Sequence, residues 1–141
     1  MKVLIDTNIA LDVLLKRTPY YEKSAKVLVL SEKKEIDAYI SASAVTDIYY
    51  ITRKALKGKR ETIDLLRKLV KIVNVTAVTG DNVCQALELE WDDFEDSIQY
   101  VAGENQLVEY IVTRNPQDFE HGSITAVTPE EFLSDFSTGR I

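Results

Sequence analysis

The 141-residue sequence contains one cysteine, one histidine, one tryptophan and three prolines. Cys84 alone cannot form an internal disulfide, and neither it nor His121 has Cys or His companions at metal-ligand spacing, which points to a reduced, cytoplasmic setting. His121, in a polar turn beside Gly122, also lacks a Cys or Ser placed for nucleophilic catalysis, so it reads as a surface residue. Long apolar runs are missing too. The opening Val3-Leu4-Ile5 meets Asp6 at once, too short for a signal peptide or a membrane span, and no later stretch approaches the length a bilayer requires. Internal repeats, low-complexity segments and linkers are absent, so residues 1–141 are expected to form a single domain able to bury its own core.

Basic residues are scarce in one half of the chain only. The net charge of −6 argues against non-specific nucleic-acid binding by the molecule as a whole. Residues 1–71 carry 15 Lys or Arg against 9 Asp or Glu, a net +6, while residues 72–141 carry 2 against 14, a net −12. Such asymmetry predicts two surfaces with different partners. The stretch Arg53, Lys54, Lys57, Lys59, Arg60, Arg67, Lys68, Lys71 is opposed only by Glu61 and Asp64, and it is either a phosphate track or a solvated helical hairpin. Tyr20, Tyr21, Tyr49 and Tyr50 suit base stacking or a dimer interface, whereas Trp91 and Phe94 read as core anchors.

Strand and helix signals alternate along the chain. Lys2–Ile5 is a short apolar strand without alternation, as in a parallel sheet covered on both faces, and it passes directly into a helix over Ile9–Leu15. A second helix opens at Pro19-Tyr20-Tyr21 and continues to about Glu32. Asp37–Ser41 is a second strand, capped into the next helix by Ser41 or Ser43; that helix continues to Ala55 and Gly58 stops it. A fourth helix from Glu61 leads to a strand at Val73-Asn74-Val75, and Asp81 is expected to cap the helix after it. Further strands are expected at Tyr110–Thr113 and Ile124–Val127, with Pro129 in the first turn of a last helix. Strands separated by helices throughout imply a parallel α/β sandwich.

In such a sheet, ligands bind outside the carboxyl ends of the strands. Asp6 ends the first strand, Asp47 lies in the helix after the second, Asp96 lies near a helix start, and Asn115 and Asp118 follow the fourth strand. Asp6 or Asn8 could instead serve only as a helix cap. If the acids converge, they cannot all stay ionised at a few ångströms without a cation. Oxygen donors without His or Cys suit Mg²⁺ or Mn²⁺, the usual machinery for attack of water on a phosphodiester. Asp12, Asp92, Asp93 and Glu95 read more mildly, as charges favourable to helix starts.

Four segments carry a resemblance: Val3-Leu4-Ile5-Asp6-Thr7-Asn8, Ser41-Ala42-Ser43-Ala44-Val45-Thr46-Asp47, Asp93-Phe94-Glu95-Asp96-Ser97-Ile98-Gln99 and Thr113-Arg114-Asn115-Pro116-Gln117-Asp118-Phe119. In this order they resemble the PIN-domain nucleases, and within them the ribonuclease toxins of virulence-associated toxin–antitoxin pairs. The resemblance implies a three-layer α/β/α sandwich around a mostly parallel sheet. It implies Mg²⁺- or Mn²⁺-dependent endoribonuclease activity, with Asp6 and Asp96 at the principal metal positions and Asp47, Asn115 and Asp118 completing the site. A homodimer, an RNA substrate and a cognate antitoxin are implied as well. Two positions depart from the family pattern: Asp47 stands where Glu is commoner, and Asn115 where Asp is common, so Asp118 is a candidate for the missing charge.

Other readings remain open to test. A phosphoacceptor receiver domain needs a late lysine, and none follows Lys71. A haloacid-dehalogenase-type phosphatase needs a second Asp at position 8, where this chain has Asn. A catalytically weak PIN-like domain binding RNA or protein is the remaining alternative.

Overall fold

The computed structural model describes residues 1–141. Its elements in chain order are β1 (Lys2–Ile5), α1 (Thr7–Leu14), α2 (Tyr21–Glu32), β2 (Asp37–Ser41), α3 (Ala42–Leu56), α4 (Lys59–Ile72), β3 (Asn74–Thr76), α5 (Gly80–Leu89), α6 (Phe94–Gln106), β4 (Tyr110–Val112), a 3-10 turn over Pro116–Phe119, β5 (Thr125–Val127) and α7 (Pro129–Ser137). The strands form one sheet in the order β3-β2-β1-β4-β5, and all four pairings are parallel. β1 is therefore central, with Val3 opposite Ala38 on one side and Tyr110 on the other. Its lack of alternation follows from that place: Val3, Leu4 and Ile5 are all fully buried.

Both faces of the sheet are covered. Val3 and Ile5 pack into a core with Ile9, Val27, Ile40, Ile48, Leu69 and Phe132. Leu4 faces the other way, into a second core with Ala86, Ile98, Val101, Ile111 and Phe119. The period-2 geometry of a strand thus feeds two cores from consecutive residues. Helices α1–α4 and α7 cover one face and α5 and α6 the other, the three-layer α/β/α arrangement expected. No helix is long and apolar enough to cross a membrane.

Several helix ends differ from expectation. Ser41 does cap α3, its hydroxyl accepting from Ala44 N at 3.2 Å. Asp81 does not cap α5. Thr79 does, in a capping box closed by Asn82, which accepts from the Thr79 N–H at 2.9 Å. Gly58 does not end α3 in the left-handed region either; Lys57 takes that role at φ 60°, leaving Gly58 as the extended residue that opens α4. Trp91 is half-buried against Tyr100, with ring centroids 4.9 Å apart, but Phe94 is 45% exposed and anchors nothing in the core. Phe119, fully buried in the second core, fixes the 3-10 turn against the sheet and so sets the position of Asp118 beside it.

Candidate active site

Asp6 stands at the carboxyl end of the central strand, its N–H still bonded to Val112 O at 3.0 Å. It occupies the N-cap position of α1, yet its side chain makes no capping bond. Both carboxylate oxygens are instead turned across the sheet: Gln99 Nε2 donates to Oδ1 at 3.0 Å, and Thr113 Oγ1 donates to Oδ2 at 2.8 Å. The orientation of Gln99 follows from Thr7, whose N–H donates to Gln99 Oε1 at 3.2 Å, leaving the amide nitrogen to face Asp6. Gln99 is fully buried and Asp6 is 7% exposed. Burial pushes the Asp6 carboxyl above the usual range, opposed by the bonds from Thr113 and Gln99.

Asp96 enters from the first turn of α6, where Asp93 caps the helix by accepting the Asp96 N–H at 3.1 Å. Asp93 is thus the helix-start residue its sequence position suggested. Burial, then the charges of Asp6, Asp93 and Asp118, push the Asp96 carboxyl up to about 7. The charge of Asp118 also bears on Asp6. Asp118 lies inside the short 3-10 turn, where no side chain provides the N-cap bond. The structure therefore brings Asp6, Asp96 and Asp118 into one electrostatic group.

Asp47 and Asn115 are placed differently. Asp47 lies near Glu95, and burial followed by the charge of Asp47 pushes the Glu95 carboxyl up to about 7. Glu95 also has a buried Oε1 with no partner. Asn115 is exposed, and its backbone N–H ties it to the group by donating to Thr113 Oγ1 at 3.1 Å. One hydroxyl thus holds the Asp6 carboxylate and the Asn115 backbone together. A cleft of about 700 Å³ opens beside Asp96 and Asp118, walled by Glu88, Glu90, Asp92 and Trp91.

All of the donors are oxygens, and several carboxylates face one another without a cation. Hard divalent ions such as Mg²⁺ or Mn²⁺ fit that chemistry. As the side chains stand, no three acidic or imidazole groups close around a common point. The fit is one of donor type and unbalanced charge, and the orphaned Glu95 oxygen is its clearest sign.

Reading the sequence for acids at strand ends missed Glu95 as a participant and the positioning roles of Gln99 and Thr113. It also missed Arg114, whose Nη2 donates to the fully buried Asp12 at 3.0 Å, with Arg17 3.8 Å away on the same oxygen. Gln99 did leave a signal: an amide between Ile98 and the buried Tyr100 and Val101 has to find its partners inside the protein.

Comparison with known proteins places this geometry. No curated protein sequence matches the chain significantly. Among solved structures, the DNA-bound VapBC from Salmonella typhimurium superposes with a TM-score of 0.71 at 15% identity, over 92% of this chain and 98% of that one. VapBC2 from Rickettsia felis, bound to a promoter DNA fragment, gives 0.69 at 17% identity over 91% and 98%. VapC20 from Mycobacterium tuberculosis, described as a sarcin–ricin-loop-cleaving toxin, gives 0.64 at 15% identity over 77% and 86%. At these identities the likeness establishes the fold. A family model described as PIN domain matches residues 2–117, and the chain belongs to the PIN-domain family.

Proposed function

We propose that the protein is a divalent-metal-dependent endoribonuclease and the toxin of a toxin–antitoxin pair. The observation that carries this reading is the end of the central strand, where Asp6, both its oxygens held by Gln99 and Thr113, forms one electrostatic group with Asp96 and Asp118. A fold gains nothing in stability from acids that repel one another, so such a group suits a cation and a reaction. The relatives found as toxin–antitoxin complexes, and the mycobacterial toxin named for cleaving an RNA loop, support the same reading.

In this reading Asp6 and Asp96 are the principal metal ligands, with Asp118, Asp47 and the side-chain oxygen of Asn115 completing the set. A bound Mg²⁺ or Mn²⁺ would polarise the phosphodiester and lower the pKa of a bound water. The chain's own residues supply orientation. Gln99 and Thr113 fix both oxygens of Asp6, so its direction is set before any ligand arrives. Glu95, its carboxyl pushed up to about 7 by burial and by the charge of Asp47, can take or release a proton at neutral pH. RNA is the substrate, a cognate antitoxin the inhibitor, and a homodimer the working assembly.

The test is cleavage of mixed RNA substrates with Mg²⁺ or Mn²⁺, with EDTA and Asp6→Asn as controls. Metal-dependent cleavage absent from both controls supports the reading. RNA bound but left intact would favour the catalytically weak binding module.

A further inference from the structure

Arg114 is the only cation near the candidate site in the acidic half of the chain, since residues 72–141 contain just one other, Arg140. It is not a free surface arginine. Asp12 holds its Nη2 at 3.0 Å, and its guanidinium lies over the Tyr20 ring, 4.1 Å from the centroid. Even so, 24% of the side chain remains exposed. It reaches the wall of a cavity of about 400 Å³ that it shares with Tyr20, Lys23, Ser24 and Thr128. Pro19 and Pro129 add flat apolar surface, and Glu130 is the one acid on the wall.

Resting on the ribonuclease reading above, we propose that this cavity is a subsite for one nucleotide of the RNA. Arg114 and Lys23 would hold a phosphate, and the apolar walls would hold a base. Three observations converge on that ligand. An arginine fixed by a carboxylate and an aromatic ring is pre-organised for phosphate, so little side-chain entropy is lost on binding. Arg114 follows Thr113, whose hydroxyl bonds Asp6, so the segment that carries the cavity's arginine also helps to hold Asp6. The Ser24 hydroxyl is fully buried on the same wall and has no partner.

The experiment measures binding of a fluorescein-labelled RNA hexamer, and of the two pentamers lacking its 5′ or 3′ nucleotide, in EDTA so that no cleavage intervenes. Arg114→Gln leaves Asp12 buried without its cation and can unfold the protein, so the exposed Lys23→Gln is the main variant and Arg114→Lys the second. Lys23→Gln should bind the hexamer about tenfold more weakly. Its salt slope should fall by about 0.7, the single-strand value for one phosphate contact. Wild type should lose affinity when one of the two end nucleotides is removed, and the variant should be indifferent to the same removal. Wild-type affinity and slope in both variants would overturn the subsite while leaving ribonuclease activity, measured with Mg²⁺ on the same hexamer, untouched. Neither binding nor cleavage by wild type would remove both the subsite and the ribonuclease reading.

Discussion

Thr113 Oγ1 donates to Asp6 Oδ2 at 2.8 Å, tying the loop after β4 to the end of β1 across 107 residues of sequence. The same oxygen accepts the Asn115 N–H, so the hydroxyl both donates and accepts. Thr113→Val keeps the shape and removes both bonds. It should cost about 1 to 3 kcal/mol of stability, because Asp6 Oδ2 is left buried without a donor. Cleavage should fall at least tenfold, while Thr113→Ser should restore most of it. Urea melts and single-turnover rates for the two variants decide this, and wild-type behaviour in Thr113→Val would remove Thr113 as a positioning residue.

Asp96→Asn and Asp6→Asn should both abolish cleavage, but their stabilities should differ. Asp96 is raised to about 7 by burial and by neighbouring acids, so neutralising it should stabilise the metal-free protein at pH 7.5, on the order of 2 kcal/mol. Asp6 accepts from two donors, and an amide there turns one acceptor into a donor, so Asp6→Asn should bring no such gain. Equal Tm shifts for the two variants would contradict this contrast.

The pH dependence has a definite sign. Asp96 and Glu95 move from 3.8 and 4.5 to about 7, so between roughly pH 4 and 7 the folded state keeps protons that the unfolded chain has lost. Their contribution favours folding at low pH and is lost as pH rises through 7. In EDTA, the stability advantage of Asp96→Asn over wild type should therefore grow from pH 5 to pH 7.5. Adding Mn²⁺ to wild type at pH 6.5 should release protons, visible by calorimetry in buffers of different ionisation enthalpy. A pH-independent gap between the two proteins would argue against Asp96 as the titrating group.

The architecture was legible in the sequence because apolar strands and helix periodicity are local signals. All five strands lie where they were expected, and the PIN-domain family was recognisable from four short segments. What escaped was mostly non-local. Gln99 meets Asp6 across 93 residues and Arg114 meets Asp12 across 102, and no periodicity reports such pairings. The Thr79 cap was lost to Asp81 because both are good N-cap types two positions apart, and only backbone geometry separates them. Glu95 was read as a helix-start charge; its contact with Asp47 on another helix reveals more.

Asp118 should govern metal affinity more than Asn115 does. Asp118 acts electrostatically on both Asp6 and Asp96, whereas Asn115 is neutral. Asp118→Asn should raise the Mg²⁺ concentration needed for half-maximal cleavage several-fold. Asn115→Asp should lower it. A metal titration in which Asp118→Asn follows the wild-type curve removes Asp118 from the site.

The basic hairpin of α3 and α4 offers a second, independent cation source. Arg67 pairs with Asp64 at 3.9 Å, while Lys57, Lys59 and Arg60 have no acidic partner within ion-pair distance. Reversing those three to Glu should weaken RNA binding and flatten its salt dependence. Unchanged affinity and slope would leave the hairpin a solvated surface.

The central position of β1 bears on how the protein is made. The groups that aim Asp6, Gln99 and Thr113, leave the ribosome 93 and 107 residues after it. β1 also waits for β4, its second neighbour, which ends at Val112. A nascent chain released before that point holds the Asp6 carboxylate without the two side chains that orient it. The order of strands along the chain thus acts as a timer that keeps the site unassembled until β4 and Thr113 have been made.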